Sequence, residues 1–468
     1  MTLGSIRPVL LTTDLLLWII VAATLLLMWR ARRTPRLAAA FRQLMRRPAA
    51  VAALVILLPY MGVALLDSLH FHVVNPAAGA SAGVQSVLDH LLTPLRTRTE
   101  TTYSAPLALY SYSKETRRGA DGRLLRVFPR LEHGGAHLPD ITARAADLRG
   151  RIGPAIAAGL AGGALLTGLV CWRLARREHQ PWPTAARRLV RGDTPVAWRS
   201  ALLTATALLV LTAVVAALAS GYHVLGTDKV GQDVLYLSLK SIRTGVIIGG
   251  ASLLVALPLA LLLGTAAGFF GGRVDDLVQY LYATLNAIPG VLLIAAAVLT
   301  LDVYMDQHLS AFAGVQQRAD LRLTALCLIL GATGWIGLCR LLRGESLKLR
   351  ELEYVQAARA LGQPQWRIIT RHVWPNLMHL VLLTAVIDFS GLVLAEAVLS
   401  YVGVGVDPGT TSWGNMINTA RLELAREPAV WWSLAAAFAF MLGLVLPANL
   451  LADALRDALD PRQSDLRP

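Results

Sequence analysis

Ten histidines, three cysteines and thirty carboxylates are the side chains of this sequence that could do covalent or metal chemistry, and their spacing argues against most of it. There is no Gly-x-x-x-x-Gly-Lys-Ser/Thr loop to cradle a nucleotide and no His-Glu-x-x-His helix to hold zinc. His70, His72, His133 and His137 fall in one polar stretch, and imidazole suits nickel or zinc. Gly134 and Gly135 interrupt the second pair, however, and remove the helical spacing that would put both rings on one face, so no metal site is expected. Cys171, Cys327 and Cys339 lie in or at the ends of apolar runs and imply no disulfide framework. What remains is a pair of acids, Asp388 and Glu396, inside an apolar run, where an ionisable group is costly unless it is paired or faces water. Eight residues apart, they share roughly one helix face and either line a polar path or hydrogen-bond to neighbouring helices. Asn286, next to Pro289, has the same two readings.

The elements that hold these residues follow from composition. With 55% hydrophobic and 16% charged residues over 468, and a mean hydropathy of +0.53, the chain reads as an all-α integral membrane protein. Nine apolar runs of spanning length occur, at roughly 10–29, 49–69, 152–172, 200–220, 243–268, 277–301, 323–342, 379–402 and 433–455. Ile288-Pro289-Gly290 should kink the sixth. Gly264, Gly268, Gly271 and Gly272 allow close helix packing and a tight turn before Asp275. The net charge of +14 points to membrane and not to nucleic acid, because the arginines sit in blocks beside the runs: Arg30 to Arg47 in one short loop and Arg173 to Arg199 in another. Those loops should be cytoplasmic and face anionic lipid, which puts the N-terminus outside and the C-terminus inside. The predicted organisation is an anchor helix, basic loop and second span (1–69), an external insert (70–150), two further spans joined by a basic loop (151–222), and a core (223–468) that carries a cytoplasmic loop at 343–378.

That loop is the most informative stretch. Leu347 to Leu361 lacks Pro and Gly and should form a short helix that stops at Gly362, after which Pro364 starts a second helix in a new direction. Ala357 and Ala358 leave one face nearly bare, so a partner surface could approach the backbone. A helical corner of this kind can be gripped and pushed.

Ala357, Ala358, Gly362 and Pro375 resemble the Ala-Ala, Gly and Pro of the "EAA loop" of ABC importer permeases, with Gln356 in place of the family's Glu. Other segments resemble the C-type permease of dipeptide, oligopeptide and nickel ABC importers. They are His223-x-Leu-Gly-Thr-Asp228-x-x-Gly-Gln-Asp233-Val-Leu, with Gln232 for the family's Arg; Ala267 to Asp275; Arg343-Gly-Glu with Glu353 to Gly362; Arg371 to Asn376; Glu396 to Gly403; Ser412 to Met416; and Leu455 to Arg462. The resemblance covers 223–462 and implies a type I ABC importer permease fold in a bacterial inner membrane. It implies coupling to two ATPase subunits through Glu353, Gln356, Ala357, Ala358, Arg359, Gly362 and Pro375. It also implies a second, B-type permease and an external substrate-binding protein docking near Asp228, Asp233, Trp413 and Asn415, with Trp413 and Asn415 in a re-entrant segment. The chain itself would bind no cofactor, ATP and magnesium being used by the ATPases. Asp388, Glu396, Asn286 and Pro289 are the path candidates.

Three other readings stay open at this stage. A membrane-anchored scaffold or sensor would work through the insert and leave the 357–362 corner idle. An exporter would need no binding protein. A membrane enzyme would act alone, against the missing motifs.

Overall fold

The computed structural model describes residues 6–74, 81–118, 124–308 and 314–459, which form two compact units. The first is drawn from Met1–Val9, Ala39–Arg243 and Thr411–Ala454, and the second from Leu10–Ala38, Thr244–Thr410 and Leu455–Pro468. Among the described residues nine helical segments are long and apolar enough to cross a membrane, and they overlap the nine predicted runs in order.

The chain begins with β1 (Ile6–Val9), α1 (Thr12–Arg33), α2 (Pro35–Arg46) and α3 (Pro48–Asp67). The insert follows, with β2 (His70–Val74), β3 (Ser81–Ser86), α4 (Val87–Leu91), α5 (Thr93–Thr97), β4 (Glu115–Arg118) and β5 (Leu124–Val127). β1, β2 and β3 form an antiparallel sheet with Ile6 opposite Val73 and His70 opposite Ser86, while β4 and β5 form a separate hairpin. The sequence shows no strand pattern here because the strands are short and β5 is exposed along its whole length, which removes the apolar alternation a half-buried strand displays. A reciprocal cap between Ser86 and Asp89 starts α4.

A long helix, α6 (Arg144–Arg177), an amphipathic α7 (Trp182–Arg191) and α8 (Trp198–Ala219) make a helical hairpin. Its seam is set by glycine. A Cβ at Gly159 would lie 2.5 Å from the Val210 Cα, and one at Gly163 would lie 2.4 Å from the Thr206 hydroxyl, so only glycines at this four-residue spacing let α6 and α8 approach so closely.

α9 (Val234–Phe270) is one continuous helix. The run at 234–242, ahead of the predicted span 243–268, forms its first turns. They are buried at Val234, Leu235, Ser238, Ser241 and Ile242, so protein and not lipid covers them. After the Gly271-Gly272 turn come α10 (Gly272–Ala287) and α11 (Gly290–Gln307). The predicted kink at Pro289 is a full break: Ile288 is extended, as the residue before proline prefers, and α11 starts afresh. α12 (Val315–Gly334) and α13 (Ile336–Arg350) follow. In this unit the N-terminal helix α1 is tied to α12, because the Asp320 carboxylate accepts the Thr12 N–H at 2.8 Å and the Thr13 N–H at 3.3 Å.

The remaining elements are α14 (Glu353–Ala360), α15 (Gln365–Ile368), a π-helical turn (Ile369–Val373), α16 (Trp374–Val402), α17 (Trp413–Glu423) and α18 (Trp432–Leu459). The helix predicted from Leu347 to Leu361 is split at Glu351-Leu352 between α13 and α14, with Leu352 extended as the cap of α14.

Candidate functional site

The corner between α14 and α15 is built outward from the core. Val355 and Ala358 on α14, Ile368 on α15, and Val373 and Leu377 beyond it are all at most 6% exposed. They share one apolar cluster with Phe269, Cys339, Leu342 and Leu349. α14 ends in a paired cap: Gly362 N–H donates to Arg359 O at 3.0 Å and Gln363 N–H to Ala358 O at 3.2 Å, with Gly362 at φ +73°. No atom would crowd a Cβ at Gly362, so glycine is required there by the left-handed backbone alone.

The two alanines do not share a face as expected. Ala358 packs inward, and Ala357 is exposed beside Glu353, Gln356 and Arg359. Consecutive helical residues are about 100° apart, so one must turn into the core. The outer surface is instead apolar through Tyr354, Leu361 and Trp366, the last two 81% and 64% exposed. Pro375 is exposed in the first turn of α16. Gln356 bonds back to Glu351 O at 3.3 Å, a local contact that a Glu at this position could not donate.

Two packing devices stiffen the base of the corner. A Cβ at Gly264 would lie 2.7 Å from Cys339 O and one at Gly268 2.4 Å from Arg343 O, so α9 and α13 meet backbone to backbone. Arg343 holds Asp275 with two nitrogens, the Nη2 contact at 2.6 Å. Two motifs 68 residues apart are thereby clasped.

Of the path candidates, Asp388 is half-buried on α16 and has no hydrogen-bond or ion-pair partner among the described residues. Glu396 differs. It is 2% exposed, and its carboxylate accepts the Ser400 hydroxyl at 2.7 Å one turn along the same helix. Eight helical residues leave the two acids about 80° apart, enough to separate their environments. Asn286 and Pro289 are exposed at the break between α10 and α11.

The residues expected on an external face fold largely inward. Asp233 is fully buried: one oxygen accepts the Leu235 and Tyr236 N–H groups that open α9, and the other lies 2.7 Å from His223 Nδ1. The other imidazole nitrogen faces Glu100 of the insert at 3.2 Å, and Glu100 also accepts the N–H groups of Glu132, His133 and Gly134 at 2.9, 2.9 and 3.0 Å. Gly231, at φ +75°, has space for no side chain against Glu100, and Thr227 bonds Thr102 O and Ser104 N. Half-buried Asp228 accepts the Val230 and Gln232 N–H groups and so closes its own turn. Trp413 is 1% exposed and donates to Ser238 O at 3.1 Å; Asn415 is half-buried, its N–H on the Ser412 hydroxyl. The His-x-Leu-Gly-Thr-Asp pattern is therefore a mount for the insert. Glu100, its main partner, carries no local sequence signal.

Burial alone would lower the His223 pKa, but the hydrogen bonds to Asp233 and Glu100 outweigh it and raise it to about 9. Glu100 is pushed up by burial and then pulled down to about 2 by His223 and three backbone N–H groups. The histidine contribution is complete below its ordinary value of 6.5 and is lost as pH rises through about 9. The glutamate contribution is complete above 4.5 and is lost as pH falls through about 2. The network thus supports the fold best near pH 4.5 to 6.5. A melting series should show wild-type stability declining from pH 6.5 to 9 by an amount on the order of 3 kcal/mol, with the decline absent in His223→Gln. Parallel wild-type and variant curves would mean that the imidazole is not charged.

The histidines of the insert are dispersed. His137 pairs with Asp147 at 3.0 Å, while the His133 N–H serves Glu100. No group of three or more metal-ligating side chains occurs among the described residues.

Apolar spanning helices and a clasped corner with an apolar outer surface define a polytopic membrane protein. Residues 260–465 match the family described as the binding-protein-dependent transport system inner membrane component. The oligopeptide transport system permease protein OppC of Haemophilus influenzae is 30% identical over 242 residues, 52% of this chain and 71% of that protein. OppC of Mycobacterium tuberculosis is 32% identical over 245 residues, 52% of this chain and 78% of the relative. The dipeptide transport system permease protein DppC of Bacillus subtilis is 30% identical over 244 residues, 52% and 70% respectively. The chain belongs to this family of multi-pass inner-membrane transport permeases.

Proposed function

We propose that the chain is one pore-forming subunit of an ATP-driven importer for peptides or similar small solutes, working by alternating access. The observation that carries this reading is the corner at 353–375, which presents Leu361 and Trp366 outward while Val355, Ala358 and Ile368 root it in the core of α9, α13 and α16. An ATPase groove closing on that surface would move those helices as a unit, so nucleotide binding shifts a two-state equilibrium without covalent chemistry in this chain.

Two ATPases, a second permease of B type and an external binding protein complete the assembly in this reading. ATP and magnesium belong to the ATPases, and the chain holds no cofactor. The antiparallel pairing of β1 with β2 places the N-terminal strand on the same side as the insert and supports an outside N-terminus with a cytoplasmic C-terminus. The names of the relatives, together with Asp388, support a peptide substrate, since an unpartnered carboxylate within a helix of spanning length suits a cationic amine. Asn286 and Pro289 belong to the same path at a helix break.

Uptake of labelled dipeptides and oligopeptides into proteoliposomes holding the complete assembly and its binding protein tests this. Uptake should require ATP, and Asp388→Asn should cut it at least about tenfold for free-amine peptides while sparing N-acetylated ones. No ATP-dependent peptide uptake would refute the transport reading. An equal loss for both peptide classes would remove Asp388 from substrate recognition.

A further inference from the structure

The helical hairpin α6–α8 lies outside the transport machinery described above, and its open face is shaped. Opposite the Gly159–Gly163 seam, Ala161, Ala164, Leu165, Gly168, Leu169 and Trp172 form a shallow, open apolar groove along one face of α6. Leu165 is 75% exposed, and a Cβ at Gly168 would meet nothing within 4 Å, in contrast with the crowded Gly159 and Gly163. From Ala161 to Trp172 the groove runs about 16 Å along the helix, close to the depth of one leaflet's hydrocarbon.

One end of the groove is strongly basic. Residues 173–199 carry seven arginines against Glu178 and Asp193. The Arg176 guanidinium sits 4.2 Å over the Trp172 ring, which fixes a cation at the groove mouth. Arg173 and Arg177, both exposed, have no ion-pair partner among the described residues. α7 folds back at this end: Ala185 and Leu189 are buried, and Leu189 joins Cys171 and Leu202 in a small core, while Arg187 and Arg191 are exposed alongside Trp182 and Val190. That is the build of a helix lying in the membrane interface.

We propose that this groove is a binding site for one anionic phospholipid, with an acyl chain along Ala161–Trp172 and the phosphate held by Arg173, Arg176 and Arg177. Groove length matches chain length, and the charge at its mouth selects the headgroup. The site does not depend on which solute the complex carries.

The test uses the full-length protein in bilayers containing phosphatidylglycerol or phosphatidylcholine with brominated acyl chains. The Trp172 signal is the difference in fluorescence between the protein and its Trp172→Phe variant. Trp172 should be quenched at about tenfold lower mole fraction of brominated phosphatidylglycerol than of brominated phosphatidylcholine. Arg173→Gln/Arg176→Gln/Arg177→Gln should erase that preference. Arg173→Gln/Arg177→Gln, which keeps the Trp172–Arg176 contact, should reduce it and guards against a folding defect. Equal quenching by the two lipids, or a preference that survives in both variants, would overturn the proposal and leave only bulk lipid at this face. Absence of quenching by either lipid would overturn it in favour of a protein partner covering the groove.

Discussion

Gly268→Leu is expected to destroy the folded core, at a cost above about 3 kcal/mol. The Cβ of any side chain at 268 would lie 2.4 Å from Arg343 O and 2.6 Å from Ser346 Cβ, and a backbone carbonyl in a helix cannot rotate aside as a side chain does. Relief requires α9 and α13 to separate, which would also pull apart the Asp275–Arg343 clasp and loosen the cluster beneath the corner. Thermal unfolding of the purified protein, followed by circular dichroism, should show the loss. Gly344→Ala, on the facing helix but in open space, serves as the control and should be neutral or stabilising by up to about 1 kcal/mol. Similar destabilisation by both variants would mean that the backbone contact is not what holds the pair together.

The second large effect is on association and not on folding. Leu361 and Trp366 contribute little to the core, being 81% and 64% exposed, so Leu361→Asp with Trp366→Ala should leave the melting temperature within a few degrees of wild type. As apolar anchors of a docked surface, each is expected to be worth about 2 kcal/mol or more of binding. The double variant should therefore lose its ATPase partner on purification in mild detergent, and ATP-dependent uptake should fall by at least about a hundredfold. A variant that retains the ATPase in full would move the contact elsewhere on the chain.

How far these features can be read in the sequence depends on how local their causes are. The nine helices of spanning length among the described residues are legible because lipid demands a continuous apolar run, and the turn at Gly362 is legible because a left-handed residue after a helix calls for glycine. Gly264 and Gly268 are legible as close-packing residues, although which helix they meet is not. The roles of Ala358 and Asp233 are not legible: in a charged or polar stretch both read as surface, and their inward turn depends on elements far along the chain. Glu100 is the extreme case. It is an ordinary glutamate in an arginine-rich loop, and its role exists only because the chain returns 123 residues later with His223. Gly159 and Gly163 could be found from their spacing in an apolar run, the signal for a close helix pair. The short strands of the insert give no such signal, since a strand such as β5, exposed along its whole length, has no alternation to display.

Disulfide trapping of Leu361→Cys against cysteines placed along the ATPase groove, with uptake measured before and after reduction, tests the coupling claim most directly. The native cysteines, Cys171, Cys327 and Cys339, are all buried and should not compete. The account predicts a single ATPase cross-link that blocks uptake while oxidised and restores it once reduced. A corner that forms no cross-link in an assembly that still transports, or a cross-linked assembly that transports at the wild-type rate, would contradict it.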